Sequence, residues 1–228
     1  GTYIVADEIQ TGMGRTGKFL AIEHWNIQPD MVLLSKSLSG GYIPISCMLG
    51  KAEIFDKVFN SLDRCVVHSN TFSQNMMSMA AGIVTLDVMD EEKLIENGAR
   101  MGQLIVDGVN KLKEKYELVK EIRGKGLLLA IEFQKPKSLG LKIGWELLHK
   151  ADAGLFAQAI IMPLIDDHHI ITQTGGHAMD SIKLSPSLCI TEEDVNHFLT
   201  SLDKVLKDCH KFPGPVWEVG TKLNQVTA

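Results

Sequence analysis

Two short apolar runs near the start of the chain each lead into a charged residue, and this pattern constrains the fold most. Residues 3–6 are followed by Asp7, and residues 31–34 are followed, after one serine, by Lys36. Brief apolar runs bounded by glycine and proline are typical of buried strands. Ligands of open α/β sheets bind beyond the carboxyl ends of the strands. The sequence therefore predicts an α/β fold with chemistry at the ends of its first strands.

Composition excludes several classes of protein. With 228 residues, 45% hydrophobic and 22% charged, the chain has the make-up of an ordinary globular protein. Lys and Arg number 23 against 28 Asp and Glu, so no basic field is available for nucleic acid or an anionic membrane. No apolar run is long enough to span a bilayer. The four cysteines form no C-x-x-C pair, which predicts reduced thiols and a cytoplasmic location.

The later part of the chain carries helical and strand-like patterns in turn. Residues 74–116 predict two amphipathic helices broken near Asn97 and Gly98. Thr191 and Asp194 form an imperfect capping box at the start of a final helix. Between these lie a helix over 141–151 and strand-like runs at 127–133, 159–162, 169–173 and 182–184. We expect two domains, residues 1–98 and 99–228.

Two stretches of sequence suggest a dinucleotide-binding turn and a metal site, but neither meets the structural requirements. Gly12, Gly14 and Gly17 match G-x-G-x-x-G, but Asp7 to Thr11 separate them from the strand and no long helix follows. A dinucleotide turn needs both of those features, so we interpret this stretch as a loop. The run 166–169 contains two aspartates and two histidines, but adjacent residues of an extended chain point to opposite faces. We expect no metal there.

Lys36 leads out of a strand into a glycine-rich turn, and that position favours a chemical role. A lysine is costly to bury unless it has a task, and its primary amine is suited to forming a Schiff base with a carbonyl. The alternative is that Lys36 simply reaches solvent and that Asp7 simply caps a loop. Taken alone, the two residues leave both interpretations open.

Longer motifs surround these two residues. They are D-E-I-Q-T-G-x-G-R-T-G over 7–17, S-K-x-L-x-G-G-Y-x-P over 35–44, H-S-N-T-F over 68–72, R-G-K-G-L over 123–127, and L-S-P over 184–186 leading to I-T-E-E over 190–193. In this order they resemble the class III pyridoxal-phosphate-dependent aminotransferases, which include ornithine, acetylornithine and 4-aminobutyrate aminotransferases. The resemblance runs from residue 1 to about residue 206.

The resemblance implies a fold and a partial chain. It implies fold type I of the pyridoxal-phosphate transferases, with the C-terminal part of a large mixed or parallel-sheet cofactor domain followed by a smaller α/β domain. Chains of that family are longer, so a missing N-terminal segment is expected. The family also implies a homodimer with shared active sites.

The resemblance also implies roles for residues near the first strands. Lys36 would form a Schiff base with pyridoxal 5'-phosphate and then move a proton between substrate and cofactor. Asp7 would pair with the pyridine nitrogen and keep it protonated. Ile9 would pack on the ring, and Gln10 would hydrogen-bond the ring hydroxyl. Thr71 would bind the cofactor phosphate across the dimer interface.

Function follows from the same resemblance. The implied reaction transfers an amino group between an amine or amino-acid substrate and a keto acid or aldehyde. Arg123 would bind a substrate carboxylate or an internal acidic partner. An aminomutase, epimerase or decarboxylase of the same fold would use the same Lys36 and Asp7, and a fragment without its N-terminal half would be inactive. Residues 165–179 differ from familiar members of the family, so the substrate stays open.

Overall fold

A computed structural model describes residues 1–69, 71–152, 154–211 and 214. These residues form two units, the first being Gly1–Ala99 and the second beginning at Arg100. Each unit has its own small sheet. In the described part of the chain, no helix combines the length and the apolar character that crossing a membrane requires.

The first unit is built on three strands in the order β1 (Val5–Asp7), β2 (Met31–Leu34) and β3 (Cys47–Gly50). β1 runs parallel to β2, whereas β3 pairs with β2 in antiparallel fashion. Alternate residues of β2, Val32 and Leu34, are buried. Because parallel strands end at the same edge of a sheet, the carboxyl ends of β1 and β2 meet there.

Helices α1 (Ala52–Val58) and α2 (Met76–Glu91) complete the first unit together with the start of α3 (Leu94–Lys115). Asn75 caps α2, because its side chain accepts hydrogen bonds from the Met77 and Ser78 backbone amides. The predicted helix break near Asn97 and Gly98 is wrong. The break lies at Lys93, whose φ of 54° is left-handed and ends the helix, and Gly98 is carried within α3.

The second unit contains a four-stranded antiparallel sheet in the order β4-β5-β7-β6. Its strands are β4 (Val119–Lys125), β5 (Leu128–Phe133), β6 (Gln173–Thr174) and β7 (Ser181–Leu184). The helices that follow α3 are α4 (Leu139–Ala151), α5 (Leu155–Asp166) and α6 (Glu192–Cys209). Every second residue of β5 is buried, which gives the sheet one core face and one open face.

Two predicted strands of this unit need correction. Residues 159–162 lie inside α5, where Phe156, Ile160 and Leu164 are fully buried. A continuous apolar run does not distinguish a buried strand from a helix buried on all sides. Of the predicted strand over 169–173, only Gln173 lies in a strand, the two-residue β6. The capping box of α6 is complete, since Thr191 and Asp194 each accept a hydrogen bond from the other's backbone amide.

Candidate active site

Asp7 and Lys36 lie at the same edge of the first sheet. Asp7 is the last residue of β1 and stands opposite Leu33 of β2. β2 ends one residue later, and Lys36 begins a short 3-10 turn, Lys36–Ser39. The parallel pairing of β1 and β2 therefore brings a carboxylate and an amine to one strand edge, which is where open α/β sheets bind their ligands.

The backbone of Lys36 is strained. Its φ is 49°, in the left-handed region that residues other than glycine rarely adopt. Such a conformation costs on the order of 1–3 kcal/mol and persists only where the surroundings impose it. Here the Ser35 hydroxyl donates to the Ile45 carbonyl at 2.7 Å, and the Leu38 amide donates to the Ser35 carbonyl at 3.1 Å. Strain of this kind concentrates at functional sites.

Helix α2 packs against the segment that begins at Lys36, which we call the lysine turn (residues 36–45). The Ser78 hydroxyl donates to the Pro44 carbonyl at 3.1 Å. One helical turn later, a Cβ atom at Gly82 would lie 3.3 Å from the Ile45 Cδ1 atom and 3.5 Å from the Leu38 carbonyl oxygen. Small residues at these two positions let the helix approach the turn closely. This contact is not among the predictions from sequence, although the i, i+4 spacing of Ser78 and Gly82 was a usable signal.

Neighbouring acidic residues at the end of β1 have different surroundings. The Asp7 side chain is exposed, and its Oδ1 accepts the Ile9 amide at 3.2 Å. Glu8 is 4% exposed, and its carboxylate accepts the Ile22 amide at 2.8 Å and the Thr11 hydroxyl. Glu8 thus holds the following loop in place, whereas Asp7 faces the strand edge.

Glycines of the loop over 12–17 have structural roles. A Cβ atom at Gly12 would lie 2.8 Å from the Glu8 carbonyl oxygen, and one at Gly17, whose φ is +81°, would lie 2.9 Å from the Ala99 Cβ atom. The next helical element is the short 3-10 helix Ala21–Trp25, not a long helix opening at the glycines. Burial lowers the pKa of the Arg15 guanidinium in this loop. The geometry agrees with the loop interpretation.

The other predicted residues fall in three places. Ile9 is half-buried and Gln10 is exposed, both in the turn directly after Asp7. Thr71 is exposed in a turn before α2, and its neighbour Asn70 lies outside the described residues. Arg123 belongs to β4 of the second unit. The structure thus groups Asp7, Ile9, Gln10 and Lys36 and places Thr71 and Arg123 on separate segments.

Arg123 has an internal acidic neighbour. Its Nε atom lies 3.5 Å from the Glu132 Oε2 atom, and its side chain is 61% exposed. The Lys120 Nζ atom is closer to the same carboxylate, at 2.6 Å, and this hydrogen bond lowers the pKa of Glu132. Exposed ion pairs contribute little stability. Glu132 is thus an internal acidic neighbour of Arg123, at a distance that is long for a charge-assisted hydrogen bond.

Comparison with known proteins gives the same family over nearly the whole chain. The family model for class III aminotransferases matches residues 1–206. An uncharacterized aminotransferase of Schizosaccharomyces pombe is 32% identical over 207 residues, which is 90% of this chain and 41% of the relative.

The solved structures that this chain resembles are also aminotransferases or transaminases. Acetylornithine aminotransferase from Elizabethkingia anophelis is 32% identical with a TM-score of 0.70, over 90% of this chain and 48% of that one. Ornithine aminotransferase from Toxoplasma gondii is 31% identical with a TM-score of 0.74, over 90% and 43%. An amine transaminase from an uncultivated Pseudomonas species, solved with pyridoxal phosphate bound, is 27% identical with a TM-score of 0.77, over 92% and 45%.

This chain spans less than half the length of each of these relatives. The matches confirm the predicted family and the predicted fold type I of the pyridoxal-phosphate transferases. The chain belongs to the class III aminotransferases.

Proposed function

We propose that this chain supplies Lys36 and Asp7 to the pyridoxal-phosphate site of a class III aminotransferase. The whole protein would transfer an amino group between an amine or amino-acid substrate and a keto acid or aldehyde. The observation that carries this proposal is the meeting of Asp7 and a strained Lys36 at the carboxyl edge of two parallel strands.

The residues present suit that cofactor. Lys36 offers an exposed primary amine to an aldehyde. Asp7 offers an exposed carboxylate to a protonated ring nitrogen, and the Ile9 amide at 3.2 Å orients it. When bound, pyridoxal phosphate supplies an electron sink for the negative charge left when a substrate carbon loses its proton.

Each residue then has a defined task. Lys36 would hold the cofactor through its Nζ atom, and the same atom, when free, would accept the proton from the substrate carbon. Asp7 holds a proton on the ring nitrogen. Ile9 would pack on the cofactor ring, and Gln10 would form a hydrogen bond with the ring hydroxyl. In the same proposal, the Thr71 hydroxyl donates to the phosphate.

Arg123 is proposed to bind a substrate carboxylate. Its guanidinium is largely exposed, and its contact with Glu132 at 3.5 Å is long for a charge-assisted hydrogen bond. Lys120 would still neutralise Glu132 if a ligand displaced Arg123. The exchange would therefore leave no carboxylate without a partner.

A homodimer with shared active sites, and an N-terminal segment ahead of residue 1, complete the proposal. Exposed apolar side chains on the first unit support it, among them Tyr42, Leu62, Phe72, Met76 and Met77. Exposed surface of this kind marks contacts with other protein. We also propose domains at 1–98 and 99–228 and a cytoplasmic location, the latter supported by four free cysteines.

Borohydride reduction of the full-length protein tests the site. We expect a covalent cofactor label on Lys36 and none on Lys18, an exposed lysine of the first unit. The variant Lys36→Ala should bind cofactor but lose turnover by at least about a thousandfold, whereas Lys18→Ala should match the wild type. A label on any other lysine contradicts the proposal.

The reaction class needs a second measurement. A transaminase releases a keto product and leaves the cofactor in its amine form, which absorbs at a shorter wavelength. A decarboxylase or epimerase of this fold does not leave the cofactor in the amine form. An amino donor should therefore convert the spectrum in a single turnover without an acceptor. A label on Lys36 without that conversion would favour a decarboxylase or epimerase. A chain that binds no cofactor without an N-terminal segment would be an inactive fragment.

A further inference from the structure

Glu8 is a buried acidic side chain to which the proposed chemistry gives no task. It is 4% exposed, whereas the side chain of its neighbour Asp7 is exposed. Among the described residues, no other acidic or basic side chain is buried to this extent. A buried carboxyl group is costly unless hydrogen bonds replace those it made with water. The burial of Glu8 therefore depends on the donors that surround it.

Two donors from different segments meet the Glu8 carboxylate. The Ile22 amide donates to Oε1 at 2.8 Å, and the Thr11 hydroxyl donates to Oε2. Thr11 lies in the turn that follows β1, whereas Ile22 lies in the 3-10 helix Ala21–Trp25. The side chain therefore ties the turn after β1 to a helix further along the chain.

The Glu8 backbone fixes the same turn at both ends. Its amide donates to the Leu33 carbonyl of β2 at 3.0 Å, and its carbonyl accepts the Gly12 amide at 2.9 Å. A Cβ atom at Gly12 would lie 2.8 Å from that carbonyl oxygen, so this closure requires glycine. Residues 8–12 thus form a closed turn that is anchored to the sheet by its backbone and to Ile22 by the Glu8 side chain.

This turn carries side chains that are proposed to meet the cofactor ring. Ile9 and Gln10 lie within it, and Asp7 directly precedes it. The Ile9 amide donates to Asp7 Oδ1 at 3.2 Å, so the orientation of the Asp7 carboxylate depends on the path of the turn. A shift of the turn would therefore move Asp7, Ile9 and Gln10 together.

We propose that Glu8 is a positioning residue for the cofactor site and acts through the turn over 8–12. The inference rests on the proposed function given above. By holding Thr11 and Ile22, the Glu8 carboxylate sets where Asp7, Ile9 and Gln10 stand before the cofactor binds. Groups that bind or react must be held close to their productive geometry by supporting hydrogen bonds, because a misplacement of about 1 Å is enough to lose most of the activity.

Circular dichroism of the bound cofactor tests this role in the full-length protein. The cofactor is achiral, so its visible absorption band gains a dichroic signal only from the asymmetric site that holds it. At saturating pyridoxal phosphate, we expect Glu8→Ala to lose at least about half of this signal and to bind the cofactor about tenfold more weakly. Glu8→Gln keeps an oxygen for the Ile22 amide and should restore most of the signal and the affinity.

Glu23→Ala is the matched control. Glu23 is exposed, and its Oε1 accepts the Leu20 amide at 2.7 Å, a bond that lies outside the turn over 8–12. This variant should keep the wild-type dichroic signal. Thr11→Val removes one donor to Glu8 and keeps the shape of the side chain, so it should lose a smaller part of the signal. It carries the test if Glu8→Ala does not fold.

Urea denaturation of the same variants separates positioning from stability. A wild-type dichroic signal in folded Glu8→Ala would overturn the proposal even if that variant is less stable, and if Glu8→Ala does not fold, a wild-type signal in Thr11→Val would do so. Equal losses in Glu8→Gln and Glu8→Ala would also overturn it. A wild-type protein that binds no pyridoxal phosphate would instead contradict the proposed function, and this inference with it.

Discussion

The two units differ in how well they cover their own apolar side chains. The second unit buries residues from its sheet and from α3, α5 and α6, and its fully buried side chains include Met101, Ile131, Phe156, Ile160, Leu164, Leu202 and Leu206. The first unit leaves large apolar side chains in the open, including Tyr42 at 91%, Leu62 at 92%, Phe72 at 84% and Met76 at 84% exposed. A protein surface rarely keeps such groups uncovered.

Helices α2 and α6 show the difference at close range. α6 buries one stripe, Val195, Phe198, Leu202, Val205 and Leu206, and keeps charged residues elsewhere. α2 is apolar on several sides, with Met77, Ile83 and Val84 exposed and Met89 buried. A helix that is apolar all round is one that protein covers on all sides. The second unit therefore encloses a buried core, whereas the first unit leaves an apolar surface exposed.

Cysteine reactivity should separate the two units most sharply. Burial raises the pKa of Cys209, in the second unit, to about 12. The thiolate is the reactive form, so its fraction at neutral pH falls about a thousandfold relative to an ordinary thiol. Under alkylation at pH 8, the exposed Cys65 of the first unit should react while Cys209 stays unmodified until the protein unfolds. Peptide mapping checks the order, and early labelling of Cys209 would show that the second core is open.

Truncation of the second core should be costly. Leu202→Ala removes a fully buried side chain from α6 and should lower the free energy of unfolding by about 3 kcal/mol. Thr200→Ala, at an exposed position of the same helix, should change it by less than about 0.5 kcal/mol. Urea denaturation of the full-length protein measures both. Equal effects would contradict the assignment of this unit's core.

A charge on α2 tests whether the first unit is covered. Met77 is 70% exposed in this chain. If a second subunit or an N-terminal segment covers it, Met77→Glu should weaken the dimer by about 2 kcal/mol or cause precipitation. Asp90→Asn on the same helix serves as the control. Sedimentation of the full-length protein measures the dimer affinity, and a dimer of wild-type affinity without precipitation would show that no second subunit covers Met77.

Enlarging Gly82 should disturb the lysine turn by a smaller amount. Gly82→Val places methyl groups against Ile45 and the Leu38 carbonyl, where even a Cβ atom is within 3.5 Å. We expect destabilisation of about 1–2 kcal/mol, together with weaker cofactor binding measured by fluorescence titration. Ala80→Val, on the exposed side of α2, controls for β-branching and should leave cofactor affinity unchanged. Wild-type affinity in Gly82→Val would show that α2 does not support Lys36.

Prediction from sequence succeeded where the signal is local. The second strand was predicted over the residues that form β2, because Met31–Leu34 is a short apolar run with turn residues on both sides. The cap of α6 was predicted because Thr191 and Asp194 have a recognisable spacing. It failed in α5, whose apolar run has no polar face to reveal its period, and at Lys93, where the helix break depends on one left-handed residue without glycine.

By itself, the sequence determined the family motifs, their order, and the placement of Asp7 and Lys36 after apolar runs, because these features are written in consecutive residues. Only the tertiary structure decided that β1 and β2 pair in parallel and so bring Asp7 and Lys36 to one edge. It also decided that Glu132 stands beside Arg123 and that Asp180 stands against His149. These neighbours come from strand register and helix packing, which depend on contacts between distant parts of the chain and leave no mark in either partner's local sequence.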